Sequence, residues 1–266
     1  MDKLHIVKIG GKVIENKDSL ISFLKDFASL EESKILIHGG GNEANNISKK
    51  IGLEIKIEGG RRITDSDSLD LVTMVYAGKI NKRIVSLLQS ISCNALGISG
   101  VDGNAYSAIK RPIKDIDFGF VGDLTEVNIP FFTGLIKQNI VPVCCSVTHN
   151  RKGQLLNTNA DTIAASIASA LSKNFKVILT YCFEKMGVLE DINDENSVIP
   201  FIDTKKYHEL KNTETISQGM MPKLHNCFES LEKGVQEIRI GNSSIFSQKN
   251  QFTKIASTNQ NEIARN

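Results

Sequence analysis

Short apolar runs alternate with longer amphipathic stretches along this chain, and several of the runs end in glycine. The first, Leu4-His5-Ile6-Val7, leads into Lys8-Ile-Gly-Gly-Lys12, which reads as a buried strand emptying into a tight turn. Residues 18–30 place Leu20, Ile21, Phe23, Leu24, Phe27 and Ala28 at helical spacing, with capping candidates just ahead of them. Lys34-Ile-Leu-Ile-His38 is a second short strand, and it too ends in glycine, at Gly39-Gly40-Gly41, before a helix over residues 43–51. Strand, helix, strand, helix, with glycine turns at two strand ends, predicts a parallel sheet that binds ligands along its carboxyl edge.

The remainder continues the alternation. Residues 66–90 predict one long helix whose apolar positions, among them Leu69, Val72, Val75, Ile80, Ile84 and Leu88, are too many for a single stripe. That helix is expected to be buried on two sides, with a second subunit as one candidate for the outer side. Further strands are predicted at residues 94–99, 140–147, 177–181 and 236–241, a short stretch of unassigned type at 198–201, and helices at 129–138, 162–171, 204–211 and 224–233. Between them, residues 104–123 alternate glycines with aromatic and β-branched positions and predict a β-hairpin or flap. No repeat or low-complexity linker interrupts the chain, and a small shift in composition after Leu171 suggests a lobe boundary inside one domain. The polar stretch from 250 onward is expected to fray after Ile255.

Composition narrows the class. Thirty-two basic and 30 acidic residues leave a formal net charge of +2, so the chain lacks the global basic surface that nonspecific nucleic-acid binding requires. Five cysteines, odd in number and without C-x-x-C spacing, predict free thiols in a reducing compartment, with Cys144 and Cys145 as core residues of a strand. No apolar run reaches membrane-spanning length and no basic segment introduces an apolar leader, so the expected location is the cytoplasm.

The candidate chemistry gathers at the strand ends. Glycine lets backbone N–H groups approach an anion closely, and a lysine ammonium adds a point charge. The motif G-x-x-x-x-G-K-[ST] is absent, and Gly39 to Ala44 meets only a loose dinucleotide fingerprint. Arg61 and Arg62 follow Gly59 and Gly60, an arrangement that suits either a carboxylate clamp or a solvated turn. In Asn157-Thr-Asn-Ala-Asp161, Asp161 opens a helix and reads as its cap, or as an acid that holds two lysines if lysines are near. Lys223, in the first turn of a helix begun at Pro222, places a cation where the helix dipole disfavours one unless an anion is bound.

Taken in order, Lys8-Ile-Gly-Gly-Lys12, His38-Gly-Gly-Gly41, Gly60-Arg-Arg62-Ile-Thr64, Asn157-Thr-Asn-Ala-Asp161 and Gly219-Met-Met-Pro-Lys223 resemble the amino acid kinase family, from Lys3 to about Ile255. Within it the resemblance is strongest to the branch that phosphorylates the γ-carboxylate of an N-acyl-L-glutamate, the N-acetyl compound first, in arginine biosynthesis. It implies a three-layer αβα sandwich around a mostly parallel central sheet. Residues 1–171 would form an N-lobe with the acyl-glutamate site and a dimer interface, and residues 172–266 a C-lobe with the nucleotide site. The substrates implied are ATP, with Mg2+ carried on its phosphates and no metal ligands from the protein, and the acylated glutamate.

Read onto matching positions, Lys8 and Lys223 neutralise the transferring phosphoryl group and Asp161 holds both lysines. The amides of Gly10, Gly11, Gly40 and Gly41 cradle that group, and Arg62 with Asn157 binds the glutamyl substrate. The same resemblance leaves an N-succinyl substrate open, with Arg61, Lys110 and Arg111 as candidates for its extra carboxylate. Two stretches depart from the family pattern, Tyr181-Cys-Phe-Glu-Lys-Met-Gly187 and Phe252-Thr253, so adenine contacts are not carried over. The chain begins on a strand, without the N-terminal helix that builds arginine-inhibited hexamers in this family, which implies a homodimer without arginine feedback. A related kinase for another small acid such as carbamate, and a non-catalytic sensor that keeps the fold, are the alternatives.

Overall fold

The apolar runs at the strand positions converge on one sheet in a computed structural model that describes residues 1–59, 61–191, 193–213, 220–247 and 252–257. Gly60, Gly219 and the chain beyond residue 257 lie outside the described residues. The first half comprises β1 (Lys3–Ile9), α1 (Gly11–Glu15), α2 (Lys17–Ala28), β2 (Ser33–His38), α3 (Gly41–Ile51) and a small hairpin of β3 (Ile57–Glu58) and β4 (Arg61–Arg62). It continues through α4 (Ser66–Thr73), a π-helical segment (Met74–Ile80), α5 (Asn81–Gln89) and β5 (Ala95–Ile98). The flap hairpin is β6 (Tyr106–Lys110) with β7 (Gly122–Val127), followed by α6 (Ile129–Lys137), β8 (Val141–Cys145) and a second hairpin of β9 (Val147–His149) and β10 (Leu155–Asn157). Then come α7 (Ala160–Leu171), β11 (Lys176–Cys182), β12 (Phe201–Ile202), α8 (Thr204–Thr213), α9 (Met220–Glu232), β13 (Glu237–Gly241) and β14 (Thr253–Ile255).

Eight strands form the central sheet in the order β12-β14-β13-β11-β1-β2-β8-β5, parallel except where β13 meets β14. Because side chains alternate across a strand, β1 divides its residues between two cores. Leu4 and Ile6 pack with Ile163, Ile167 and Leu224 of α7 and α9, whereas Val7 and Ile9 pack with Phe23, Phe27, Val75 and Ile84 of α2, the π-helical segment and α5. Helices therefore cover both faces, which is the three-layer αβα sandwich. Lys8 has the parity of Leu4 and Ile6 and so emerges on the α7 and α9 side. The sheet passes residue 171 without a break, since β1 lies between β2 and β11. All five cysteines are free and buried.

Both glycine turns are tighter than the sequence predicts. α1 starts at Gly11, directly after the strand, and α3 starts at Gly41, two residues ahead of the predicted onset. Gly40 makes the second turn possible: a Cβ there would sit 2.4 Å from Ile80 Cδ1 and 2.6 Å from Tyr76 Cδ1. The predicted long helix over 66–90 is continuous but widens to π geometry at Met74–Ile80, where Val75, Tyr76 and Ile80 are buried while Met74 is exposed. β14 escaped prediction because its flanks are polar; its buried Thr253 hydroxyl accepts from Val188 N–H at 2.8 Å and donates to Ile199 C=O at 2.7 Å. α9 is described from Met220, ahead of the predicted start at Pro222, which lies in the first described turn.

Two glycine substitutions should move stability in opposite directions. Gly134 lies inside α6, and a Cβ added there would have nothing within 4 Å, so Gly134→Ala should stabilise the fold by about 0.5–1 kcal/mol. At Gly100 a Cβ would meet the Tyr106 carbonyl oxygen at 2.3 Å, and Gly100→Ala should cost about 1–3 kcal/mol. Urea midpoints of the two variants measure both effects.

Candidate active site

Asn159 caps α7: its side-chain oxygen accepts from the amides of Asp161 at 2.8 Å and Thr162 at 3.2 Å. This corrects the reading of Asp161 as the cap. Relieved of that duty, the Asp161 carboxylate turns to two cations. Its Oδ1 lies 2.8 Å from Lys8 Nζ and its Oδ2 3.8 Å from Lys223 Nζ. Burial on its own would raise the Asp161 carboxyl, but Lys8 and Lys223 outweigh it and hold it below the ordinary carboxylate value. One carboxylate against two ammonium groups leaves the cluster positive, at the N-terminal ends of α7 and α9. Lys223 also lies over the rings of Tyr181 and Phe183, at 5.7 and 5.4 Å from their centroids.

The cluster forms one wall of a cleft of about 570 Å³, and Gly11, Gly39, Gly40 and Gly41 line the same cleft. Gly11 and Gly41 are the first residues of α1 and α3, so their N–H groups have no intrahelical acceptor. Gly10 departs from its expected place in the cradle. Its N–H donates to Cys182 C=O at 2.8 Å, which extends the ladder between β1 and β11 and takes that donor away from any ligand.

The opposite wall is stitched from three separated segments. Thr64 N–H donates to Phe118 C=O, Phe120 N–H donates back to Thr64 C=O, and Asn157 N–H donates to Phe120 C=O. Residues 118–121 thus tie the arginine segment to Asn157, whose Nδ2 also donates to Thr64 Oγ1 at 3.1 Å. Arg62 reaches back to the glycine turn: Nη2 donates to Gly41 C=O at 3.1 Å and to Asn45 Oδ1, while Nη1 is buried without a partner among the described residues. A desolvated guanidinium donor is costly unless an acceptor is near, and Tyr76, on which the Arg62 charge acts, lines the same cleft.

The three basic residues weighed for an acyl carboxylate are placed differently. Arg61 lines the cleft from an exposed position on β4. Arg111 also lines it, with Nη1 unpartnered among the described residues, but Nε and Nη2 bind Asp123 at 3.0 and 2.6 Å. Lys110 does not line the cleft; it is exposed, with its ammonium 5.2 Å from the Phe120 ring centroid. Sequence reasoning missed Tyr76 and Asn45, which both line the cleft. A tyrosine in an apolar helical stripe and an asparagine on a polar helix carry no local signal of a site. Among the described residues no cluster of three or more His, Cys, Asp or Glu side chains is placed to hold a metal.

The family model described as "Amino acid kinase family" matches residues 3–242. An acetylglutamate kinase of Cytophaga hutchinsonii is 52% identical over 241 residues, covering 90% of this chain and 91% of that protein. One from Phocaeicola vulgatus is 48% identical over 90% of this chain and 93% of its own length. Among solved structures, smu.665 from Streptococcus mutans superposes with a TM-score of 0.77 at 23% identity over 95% of this chain and 98% of that one. Carbamate kinase from Giardia lamblia does so with a TM-score of 0.67 at 12% identity over 96% and 98%. These two likenesses speak to the fold, and with the family match and the curated relatives they lead to one conclusion: the chain belongs to the amino acid kinase family.

Proposed function

We propose that this protein transfers the γ-phosphoryl group of ATP to the γ-carboxylate of N-acetyl-L-glutamate, giving ADP and the acyl phosphate, as a step of arginine biosynthesis. The observation that carries the reading is the Lys8–Asp161–Lys223 cluster, which lines one cleft together with Arg62 and the Gly39–Gly41 turn. The relatives named acetylglutamate kinase, matched over nine-tenths of this chain, support the choice of substrate.

The nucleophile is a carboxylate already ionised at neutral pH, so the protein supplies no general base. Its work is alignment and charge stabilisation, the main sources of rate in phosphoryl transfer. Lys8 meets the transferring group from the side of the acyl-glutamate and Lys223 from the side of the nucleotide. Asp161 fixes the spacing of the two ammonium groups without neutralising both. The N–H groups of Gly11, Gly40 and Gly41 donate to phosphoryl oxygens, and Mg2+ held by the nucleotide phosphates would offset part of their charge. Arg62 takes the α-carboxylate, with Asn157 beside it. Residues 1–171 hold the acyl-glutamate and residues 172–266 the nucleotide, in a cytoplasmic homodimer whose contact face includes the exposed Leu96 on edge strand β5.

The alternatives fit less well. A carbamate kinase has no use for the Arg62 donor, and a sensor has no need of two lysines locked on one aspartate. An N-succinyl substrate needs a cation for its second carboxylate; Arg111 is neutralised by Asp123 and Lys110 rests on Phe120, which leaves the exposed Arg61 as its candidate, and the relatives named acetylglutamate kinase favour the acetyl compound.

Trapping the acyl phosphate with hydroxylamine should reveal ATP-dependent product from N-acetyl-L-glutamate; a higher kcat/KM for N-succinyl-L-glutamate would overturn the acyl assignment. Lys8→Ala and Lys223→Ala should each lower kcat by about 10²–10³-fold, as for loss of a donor to a developing charge, with a smaller change in KM. Arg62→Ala should act chiefly on the KM for the acyl-glutamate. The Asp161 carboxyl binds its proton more weakly folded than unfolded, so its contribution to stability is complete above the ordinary carboxylate range and is lost as pH falls through the folded-state value. The stability gap between wild type and Asp161→Asn should therefore be constant near neutrality and narrow in acid, as read from denaturant midpoints at pH 7, 5 and 3.

A further inference from the structure

His38, the last residue of β2, is fully buried on the side of the sheet away from Lys8, with Leu36 of the same parity packed in the α2 and α5 core. Its Nδ1 lies 2.8 Å from Gly39 C=O and its Nε2 3.0 Å from Asn81 Nδ2. Asn81, at the end of the π-helical segment, is equally buried, and the same Nδ2 donates to Val143 C=O at 2.9 Å. Its Oδ1 faces the Lys82 ammonium at 3.3 Å.

These contacts fix the proton. Val143 offers only an acceptor and Lys82 only donors, so the Asn81 amide has a single workable orientation, with its NH2 toward His38. An NH2 group can only donate, hence Nε2 accepts and the ring proton resides on Nδ1, from which it goes to Gly39 C=O. Burial also disfavours the imidazolium and lowers the His38 pKa to about 4, so the ring is neutral in the working range. The consequence reaches the cleft through one peptide plane. Gly39 C=O and Gly40 N–H belong to the same trans peptide and point in opposite directions, so a carbonyl held on the His38 side aims the amide away from it.

We propose that His38, with its proton held on Nδ1 by Asn81, is a positioning residue that aims the Gly40 N–H into the cleft. This rests on the kinase reading for its effect on rate but not for its geometry. His38 and Asn81 do not line the cleft, so their influence on it is indirect, and the Gly39–Gly40 peptide is the link from the His38 ring. The same helix that carries Asn81 also presses Tyr76 and Ile80 onto Gly40, so the turn is clamped by a hydrogen bond on one side and by packing on the other.

Long-range proton–nitrogen spectra of 15N-histidine-labelled protein test the geometry directly, with His38 assigned by its loss in His38→Asn. The expected pattern is a protonated Nδ1 and a bare Nε2; the opposite tautomer in the wild type overturns the proposal. Asn81→Leu should release that tautomer and shift the Gly40 amide resonance. It should lower kcat on the order of tenfold or more while the KM for the acyl-glutamate stays within about threefold, because a small misplacement of a donor costs rate more than binding. Gly97→Ala, whose Cβ would lie 1.9 Å from Asn81 Oδ1, should do the same from outside the cleft. His38→Leu should match Asn81→Leu, and His38→Asn, whose amide can donate from the place of Nδ1, should recover most of the loss. A folded His38→Leu with wild-type kcat refutes the role. If the wild type forms no acyl phosphate, the kinase reading fails, and the tautomer and the Gly40 shift still decide the geometry.

Discussion

One carboxylate shared by two lysines sets the terms for the rest of this molecule. Asp161 can hold Lys8 and Lys223 only if β1, α7 and α9 meet at one point, and each is brought there by a different rule. Strand parity puts Lys8 on the correct face, Asn159 takes over the capping of α7, and α9 starts early enough to bring Lys223 to its first turn. The arrangement is electrostatically unsatisfied by its stoichiometry: three charges with two of one sign, walled in by Tyr181 and Phe183. A cluster of this kind is at its most stable when an anion joins it, so its geometry is a statement about the ligand as much as about the fold.

The second wall answers a different need. A planar carboxylate asks for donors at fixed angles, and Arg62 is held by Gly41 C=O and Asn45 with one nitrogen left over. That hold makes Arg62 and the Gly39–Gly41 turn parts of one hydrogen-bonded unit. The flap residues 118–121 add Asn157 to it through backbone bonds, which do not depend on side-chain identity. Hydrogen bonds therefore tie Arg62, Asn157 and the Gly39–Gly41 turn together along the cleft.

Much of this was legible in the residues. The alternating strands and helices, the two glycine turns and the possibility that Asp161 holds two lysines all follow from patterning and charge. What could not be read has identifiable causes. The cap of α7 was assigned to the wrong residue because asparagine and aspartate are equally good caps two positions apart. Gly10 resembled its neighbours in composition, but ladder register commits its amide to Cys182. The π-helical widening at Met74–Ile80, which seats Tyr76 and Ile80 against Gly40, leaves no mark in a hydrophobic periodicity that fits an ordinary helix nearly as well. Lys110 and Arg111 are adjacent and alike in charge, and their partners, the Phe120 ring for one and the Asp123 carboxylate for the other, separate their fates.

The central place of β1 bears on how the chain acquires its structure. Lys3 pairs with Lys176 and Leu4 with Ser33, so the earliest strand has one partner close in sequence and another far away. During synthesis β2 can dock soon after it is made, but the other edge of β1 stays open until residues 176–182 have left the ribosome. The pairing of β1 with β11 is therefore the most distant in sequence that β1 makes, and during synthesis it follows that of β1 with β2. Lys8 and Asp161 precede β11 in the chain and Lys223 follows it, so the cluster that organises the cleft is completed only by residues made after the strand that closes on β1.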